Sequence, residues 1–248
     1  MFQSRTYRKE MGGSRFTSFV LAVGESDLWI GYTPALVAID QVRSEAAHIL
    51  RRLRNEILTF PDPTFLTSLV PLAEGNLPCS PFLSGMLQAA RLSHTGPMAS
   101  VAGAIAQEVG RHLKERFCLD EVVVENGGDL YIDILKELSV TLYAGDNSLS
   151  GKVSIVVDPF HSPIGVCTSS AKIGHSTSFG KADAVMVACK DAALADGYAT
   201  SYCNKVETED DVQAICNEMN AQGQILSALV LLDTKLALCG QLEVRTQA

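Results

Sequence analysis

The sequence lacks several features that would assign it to a common functional class. No run approaches the roughly 20 apolar residues of a membrane-spanning helix, and the polar, basic start of the chain has no apolar stretch of the kind that a signal peptide contains. We therefore expect a soluble, cytoplasmic protein without a membrane partner. A GxSxG elbow, a P-loop, an HExxH motif and a GxGxxG fingerprint are all absent. Any nucleotide must therefore be bound by another fold.

Positive charge is also scarce. The 20 Lys and Arg are outnumbered by 28 Asp and Glu, which gives a formal net charge of −8. This balance excludes the basic face that nucleic-acid binding requires. The one basic cluster lies between Arg43 and Arg54, where apolar residues recur at helical spacing. It is predicted to be the solvated face of a helix, with an anionic-ligand site as the alternative.

The seven cysteines include no pair at the CxxC spacing of zinc knuckles and redox motifs. An odd number of cysteines scattered through apolar segments predicts reduced, mostly buried thiols. Cys167 alone lies beside a polar motif, so a functional thiol there stays open.

Hydrophobic periodicity predicts helices and strands that are mixed without strict βαβ order. Helices are predicted at 35–57, 99–117, 191–202 and 208–220, and strands at 15–23, 28–32, 121–124, 130–134, 140–144, 153–157, 184–189, 225–232 and 241–244. This mixture predicts an α+β fold of largely antiparallel sheets flanked by helices. No linker divides the chain, so residues 1–248 are expected to form a single domain. The strand at 225–232 and the N-terminal hairpin are expected to be edges at which a homodimer could form.

Two adjacent glycines follow a predicted strand. They lie in the segment Asn126, Gly127, Gly128 and Asp129. Glycines here allow positive φ and a close approach of the backbone to a bulky ligand. A tight hairpin or a bulge is the alternative explanation.

A second polar segment runs from 165 to 185 and contains several hydroxyl side chains together with Gly174 and His175. Hydroxyls and free amides around glycines suit oxyanions such as phosphates. His175 is a candidate proton acceptor at neutral pH. A flexible polar loop is the alternative.

The third segment, ADGYAT at 195–200, is predicted to lie on a helix. Asp196 and Thr200 are four residues apart and therefore share one helical face. A carboxylate and a hydroxyl at this spacing can hold a hard cation with help from carbonyls and waters. An ordinary side-chain contact is the alternative.

Taken in this order, the segments resemble the ApbE family. Its members carry an Asn-x-Gly-Gly-Asp turn, then Thr-Ser-Gly, Gly-His and Ala-Asp-Ala-x-Ala-Thr. This chain has NGGD at 126–129, TSS at 168–170, GH at 174–175 and ADGYAT at 195–200. Its AGAIAQEVG at 102–110 is similar to the family's Gly-x-Ile-Ala-Lys-Gly helix start. The resemblance covers about residues 100–204 and is closer to an ApbE-like branch from anaerobic bacteria and archaea.

The resemblance implies the ApbE fold and a function in flavin handling. ApbE enzymes bind FAD and, with magnesium, move FMN onto a threonine hydroxyl of an acceptor protein and release AMP. The implied cofactors are therefore FAD or FMN and Mg²⁺, and the implied protein partner is an acceptor or electron-transfer protein. Carried over to this chain, the resemblance implies a metal bound by Asp196, Thr200 and a carbonyl near Ala104 or Ala106. It implies a flavin site lined by Asn126, Gly127, Gly128, Asp129, Thr168, Ser169 and Gly174. It also implies that His175 is the catalytic base.

The chain departs from the family pattern on the nucleotide side of the site. Gln107 stands in place of Lys, and Glu108 and Ser170 stand in place of Gly. Two other functions therefore stay open. In one, the protein acts in sulfide assimilation or homocysteine synthesis, because the similar branch is associated with these processes. Cys167 would then face a sulfur intermediate. In the other, the chain is a non-catalytic regulatory protein.

Overall fold

The computed structural model describes residues 8, 11, 13–34, 37–73, 79–172 and 179–246. These residues form eleven strands and five α-helices. The strands are β1 (Thr17–Val23), β2 (Ser26–Thr33), β3 (Glu121–Asn126), β4 (Asp129–Asp133), β5 (Leu138–Thr141), β6 (Val153–Val157), β7 (Ile164–Ser169), β8 (Ala184–Cys189), β9 (Ile225–Leu232), β10 (Lys235–Gly240) and β11 (Val244–Thr246). The helices are α1 (Ile39–Leu58), α2 (Pro81–Ser93), α3 (Val101–Phe117), α4 (Ala192–Cys203) and α5 (Glu209–Asn220).

Eight strands form one large sheet in the order β1-β2-β3-β4-β7-β8-β9-β10, and β11-β6-β5 form a small sheet. Every pairing in the described residues is antiparallel. After β4 the chain leaves to build two strands of the small sheet and returns as β7 beside β4. The prediction of an α+β fold with largely antiparallel sheets is thereby confirmed.

The two faces of the large sheet are buried against different layers. Val122 and Val124 of β3 belong to the core shared with the helices, whereas Val123 belongs to the core shared with the small sheet. This division follows from the period of two along a strand.

Four elements differ from the prediction. The breaker residues at 60–63 and 71–81 predict a loop region with a short helix, whereas the structure has the 13-residue helix α2, which begins at the N-cap Ser80 and Pro81. Strand β7 covers the beginning of the polar segment at 165–185, where the sequence predicts no strand, and β10 is likewise not predicted. The segment predicted at 241–244 pairs as β11 with β6 of the small sheet.

The predicted dimer edge at Ile225–Leu232 is wrong. This segment is β9, and it is hydrogen-bonded to β8 on one side and to β10 on the other. Among the described strands, the outer ones of the large sheet are β1 and β10. The homodimer therefore has no support from this strand.

Helix α1 carries the basic cluster as a solvated face, as predicted. Arg43 lies 3.6 Å from Asp40, and Arg52 lies 3.4 Å from Glu56 and 3.5 Å from Glu108. These acidic partners balance the positive charge, so the face is not organised to bind an anion. Among the described residues, no helix is both long and apolar enough to cross a membrane.

Candidate functional site

The β3–β4 turn depends on its two glycines. Gly127 has φ 73° and Gly128 has φ 109°, as in a two-residue type I′ hairpin. The turn joins Asn126 to Asp129, which face each other in the register of the two strands. Glu125 accepts the backbone N–H of Gly128 at 2.9 Å and so stabilises the turn.

Asp196 on α4 caps the beginning of α3. Its Oδ2 accepts the backbone N–H groups of Ala102 at 3.1 Å and Gly103 at 2.9 Å. These are two of the donors that have no intrahelical partner at a helix start, and the helix dipole favours a carboxylate there. Asn126 Nδ2 donates to the carbonyl of Ala102 at 3.2 Å, so the glycine turn is tied to the same helix start.

Helices α3 and α4 approach this closely because residue 103 is glycine. A Cβ at Gly103 would lie 2.8 Å from the carbonyl carbon of Ala192 and 3.0 Å from Cβ of Asp196. A Cβ at Gly165 of β7 would lie 2.6 Å from Cβ of the same Ala192. The beginning of α4 therefore packs directly against both α3 and β7, and this packing places Asp196 on the helix-facing side of the sheet.

Asp129 and Asp196 form a buried pair of carboxylates, 8% and 6% exposed. Burial, followed by the charge of Asp196, raises the pKa of Asp129 well above its usual range. Burial raises the pKa of Asp196 to about 7, although the amides of Gly103 and Ala102 lower it. Among the described residues, no Lys or Arg forms an ion pair with either carboxylate. Two desolvated like charges of this kind are what a divalent cation would neutralise.

Hydroxyl groups lie next to this pair. Ser169 Oγ and Thr200 Oγ1 are 3.1 Å apart, which brings the end of β7 against α4 one turn beyond Asp196. Thr168 precedes Ser169 on β7, so its side chain lies on the opposite face of the strand. Carboxylates and hydroxyls therefore meet at one end of the sheet.

Cys167 is completely buried beside the carboxylate pair. Its Sγ donates to the carbonyl oxygen of Ala192 at 3.4 Å. Burial, followed by the charges of Asp129 and Asp196, raises the pKa of this thiol well above its usual range. The structure therefore argues against a reactive thiolate at this position.

The α3 residues in the family-like motif have different surroundings. Ala104 is the fourth residue of α3, where a carbonyl normally accepts an intrahelical hydrogen bond. The α3 groups that bond Asp196 are the amides of the two preceding residues, and a metal-binding carbonyl near Ala104 stays a prediction. Gln107 bonds to the beginning of α4. Glu108 lies 3.5 Å from Arg52, on the side of α1.

Five of the side chains singled out in the sequence converge at this end of the sheet. They are Asn126, Asp129, Ser169, Asp196 and Thr200. Gly174 and His175 lie outside the described residues, so the predicted base is not placed. Within the described ranges, no three His, Cys, Asp or Glu side chains are arranged to hold a metal ion. The sequence does not predict the helix-start amides or the contacts of Gln107, although the run of small residues at 102–104 is a signal of close helix packing.

Comparison with solved structures identifies the class of protein from its fold. The flavin transferase ApbE from Vibrio cholerae has a TM-score of 0.61 and 12% identity, over 90% of this chain and 96% of that chain. The apo form of the flavinyl transferase ApbE from Pseudomonas stutzeri has a TM-score of 0.56 and 15% identity, over 90% of this chain and 93% of that chain. The protein has the ApbE fold.

Sequence comparison identifies the family. The family model described as AbpE bacteria matches residues 8–238, and the chain belongs to this ApbE-like family. The UPF0280 protein from Methanocaldococcus jannaschii is 37% identical over 186 residues, 74% of each chain. The UPF0280 protein from Methanothermobacter thermautotrophicus is 42% identical over 160 residues, which are 64% of this chain and 60% of that protein. The match to the latter thus spans less than two thirds of the relative.

Proposed function

We propose that the protein binds a flavin nucleotide together with a divalent cation where the β3–β4 turn, the end of β7 and α4 meet. The observation that carries this proposal is the buried pair of Asp129 and Asp196. Placing two carboxylates out of water without a cationic partner is unfavourable for folding. A protein with no ligand for this pair would gain stability by losing it.

The donor set fits Mg²⁺. This hard cation takes one or two carboxylates and completes its shell with waters and phosphate oxygens. Asp129 and the oxygen of Asp196 that does not face the α3 amides would hold it, and Thr200 would add a hydroxyl. When bound, the cation would neutralise the charge of a pyrophosphate.

The remaining polar groups suit the rest of a nucleotide. Gly127 and Gly128 have no Cβ, so a flat ring could approach the turn backbone. The hydroxyls of Ser169 and Thr200 can donate to phosphate oxygens. The structural neighbours from Vibrio cholerae and Pseudomonas stutzeri are flavin transferases, which favours a flavin over other nucleotides.

We further propose that the bound FAD is the substrate of a reaction that transfers FMN to a threonine of an acceptor protein. In this reaction the threonine oxygen forms a bond to the phosphorus of the FMN half of FAD, and the bond to AMP breaks. The residues described here would bind and orient the pyrophosphate and exclude water from it. His175 is proposed as the group that takes the proton of the threonine hydroxyl.

The two other functions have weaker support. A task in sulfide assimilation or homocysteine synthesis would draw on the Cys167 thiol, which is buried and whose pKa is raised. A non-catalytic regulatory protein would not need matched carboxylates and hydroxyls in one place. The geometry of Asn126, Asp196 and Thr200 therefore favours a ligand-binding site.

Flavin binding is tested by titrating FAD and FMN with the purified protein and following flavin fluorescence anisotropy, with Mg²⁺ or with EDTA. We expect binding that requires Mg²⁺ and is lost in Asp129→Asn and Asp196→Asn. Asp133→Asn is the matched control, because Asp133 ends the same strand as Asp129 but lies 2.5 Å from Lys114. Equal binding in EDTA, or no binding at high micromolar flavin, would contradict the proposal.

Transfer is tested separately by incubating FAD and Mg²⁺ with the protein and threonine-containing acceptor peptides, and measuring AMP by chromatography. AMP release that is retained in Asp133→Asn and lost in Asp196→Asn supports transfer. Flavin binding without AMP release would reduce the proposal to a flavin-binding protein.

A further inference from the structure

Gln107 makes a two-point contact with the beginning of α4. Its Nε2 donates to Asp191 Oδ2 at 2.9 Å, and its Oε1 accepts the backbone N–H of Ala192 at 2.7 Å. The other carboxylate oxygen of Asp191 accepts the N–H of Leu194 at 2.8 Å and caps α4. One side chain of α3 thus bonds both to the capping residue and to the first residue of α4.

The same end of α4 is closely packed on two sides. Gly103 and Gly165 are the residues that admit Ala192, since a Cβ at either position would collide with it. Asp196 follows Ala192 by four residues, which is about 6 Å along the helix axis. A shift or rotation at the beginning of α4 would therefore be passed on to Asp196.

From these contacts we infer that Gln107 is a positioning residue of the proposed site. It holds α4 at the depth at which Asp196 bonds the amides of Ala102 and Gly103 and lies beside Asp129. A side-chain amide is suited to this task because it offers a donor and an acceptor at once. The inference rests on the proposed function for its ligand, whereas its geometric part concerns the protein alone.

The contact can be reversed without changing the net charge. In Gln107→Glu, the introduced carboxylate faces the carboxylate of Asp191. In Asp191→Asn, two amide groups compete to donate. In the double variant the carboxylate at position 107 accepts from both the Ala192 N–H and the new amide at 191, which still caps Leu194. We expect each single variant to disturb the site and the double variant to restore it.

Two measurements follow the position of Asp196. The first is hydrogen exchange of the backbone amides of Ala102 and Gly103, measured by NMR in metal-free protein. The second is the Kd for Mn²⁺, measured by electron paramagnetic resonance. We expect faster exchange and about tenfold weaker Mn²⁺ binding in each single variant, as for partners that orient a metal ligand. Both should return close to wild-type values in the double variant.

Glu108→Gln is the control, because Glu108 is the next residue of α3 and pairs with Arg52. It should change neither measurement. If exchange at Ala102 and Gly103 is unchanged in the single variants while the unfolding midpoint falls, the contact is merely structural and the inference is wrong. If wild-type protein binds neither Mn²⁺ nor flavin, the proposed function fails, and the exchange measurement still decides whether Gln107 positions Asp196. If one single variant does not fold, the exchange rates and the Kd for Mn²⁺ of the other single variant are compared with those of the double variant.

Discussion

Replacing Gly103 with alanine tests the packing that assembles the site. The added Cβ would lie 2.8 Å from the carbonyl carbon of Ala192 and 3.0 Å from Cβ of Asp196. Because backbone cannot rotate away as a side chain can, α3 and α4 must separate. Overpacking of this kind costs about 1–3 kcal/mol, and weakening the amide bonds to the carboxylate adds roughly 1–2 kcal/mol. Alanine is also favoured over glycine in a helix by about 0.5–1 kcal/mol, so we expect Gly103→Ala to lower the free energy of unfolding by about 1–4.5 kcal/mol.

Gly85 in α2 provides a control of opposite sign. No atom lies within 4 Å of a Cβ added at Gly85, so alanine there should stabilise the helix by about 0.5–1 kcal/mol. Both variants are compared with wild type by urea unfolding and by thermal unfolding, in which 1 kcal/mol corresponds to about 2–4 °C for a chain of this length. A Gly103→Ala protein as stable as Gly85→Ala would refute the close contact between α3 and α4. The argument for Asp196 would then be lost as well.

Three further predictions concern charge and thiols. In EDTA at pH 8, Asp129→Asn should raise the unfolding midpoint because it removes a buried like charge, whereas Asp133→Asn should lower it by breaking an ion pair; the reverse order would contradict the carboxylate pair. Burial raises the pKa of Glu121, but its hydrogen bonds lower it overall. The folded state therefore gains stability above the unfolded pKa and loses it as pH falls through the folded pKa, so the unfolding curves of wild type and Glu121→Gln should converge at low pH. Ellman's reagent should modify the exposed Cys118 in the native protein and reach Cys167 only on unfolding; rapid labelling of Cys167 in native protein would disprove its burial.

The local features of the chain were decided by the sequence alone. Positive φ at two successive positions is cheap only for glycine, so Gly127 and Gly128 specify their hairpin whatever surrounds them. Thr208 and Asp211 form the capping box that begins α5, a signal contained in four residues. Apolar periodicity located most strands and helices for the same reason, since it depends on neighbours along the chain.

The partners of each element were decided by the tertiary structure. Strand β9 has the composition of either an edge or a central strand, and only its pairing with both β8 and β10 shows which. Cys167 lies beside a polar motif in the sequence, yet the fold places it in the core. Strand register and helix contact are set by burial between residues far apart in the chain, which no local pattern encodes.

For the candidate site too, the sequence determined some features and the tertiary structure determined others. Its side chains could be predicted from the sequence because the residue type alone shows which groups can bind a cation or a phosphate and which positions lack a Cβ. Their convergence required Gly103 and Gly165 to admit Ala192 and Gln107 to bond the beginning of α4. These contacts join segments separated by some 25 to 90 positions, and close packing between such segments is a property of the folded chain alone.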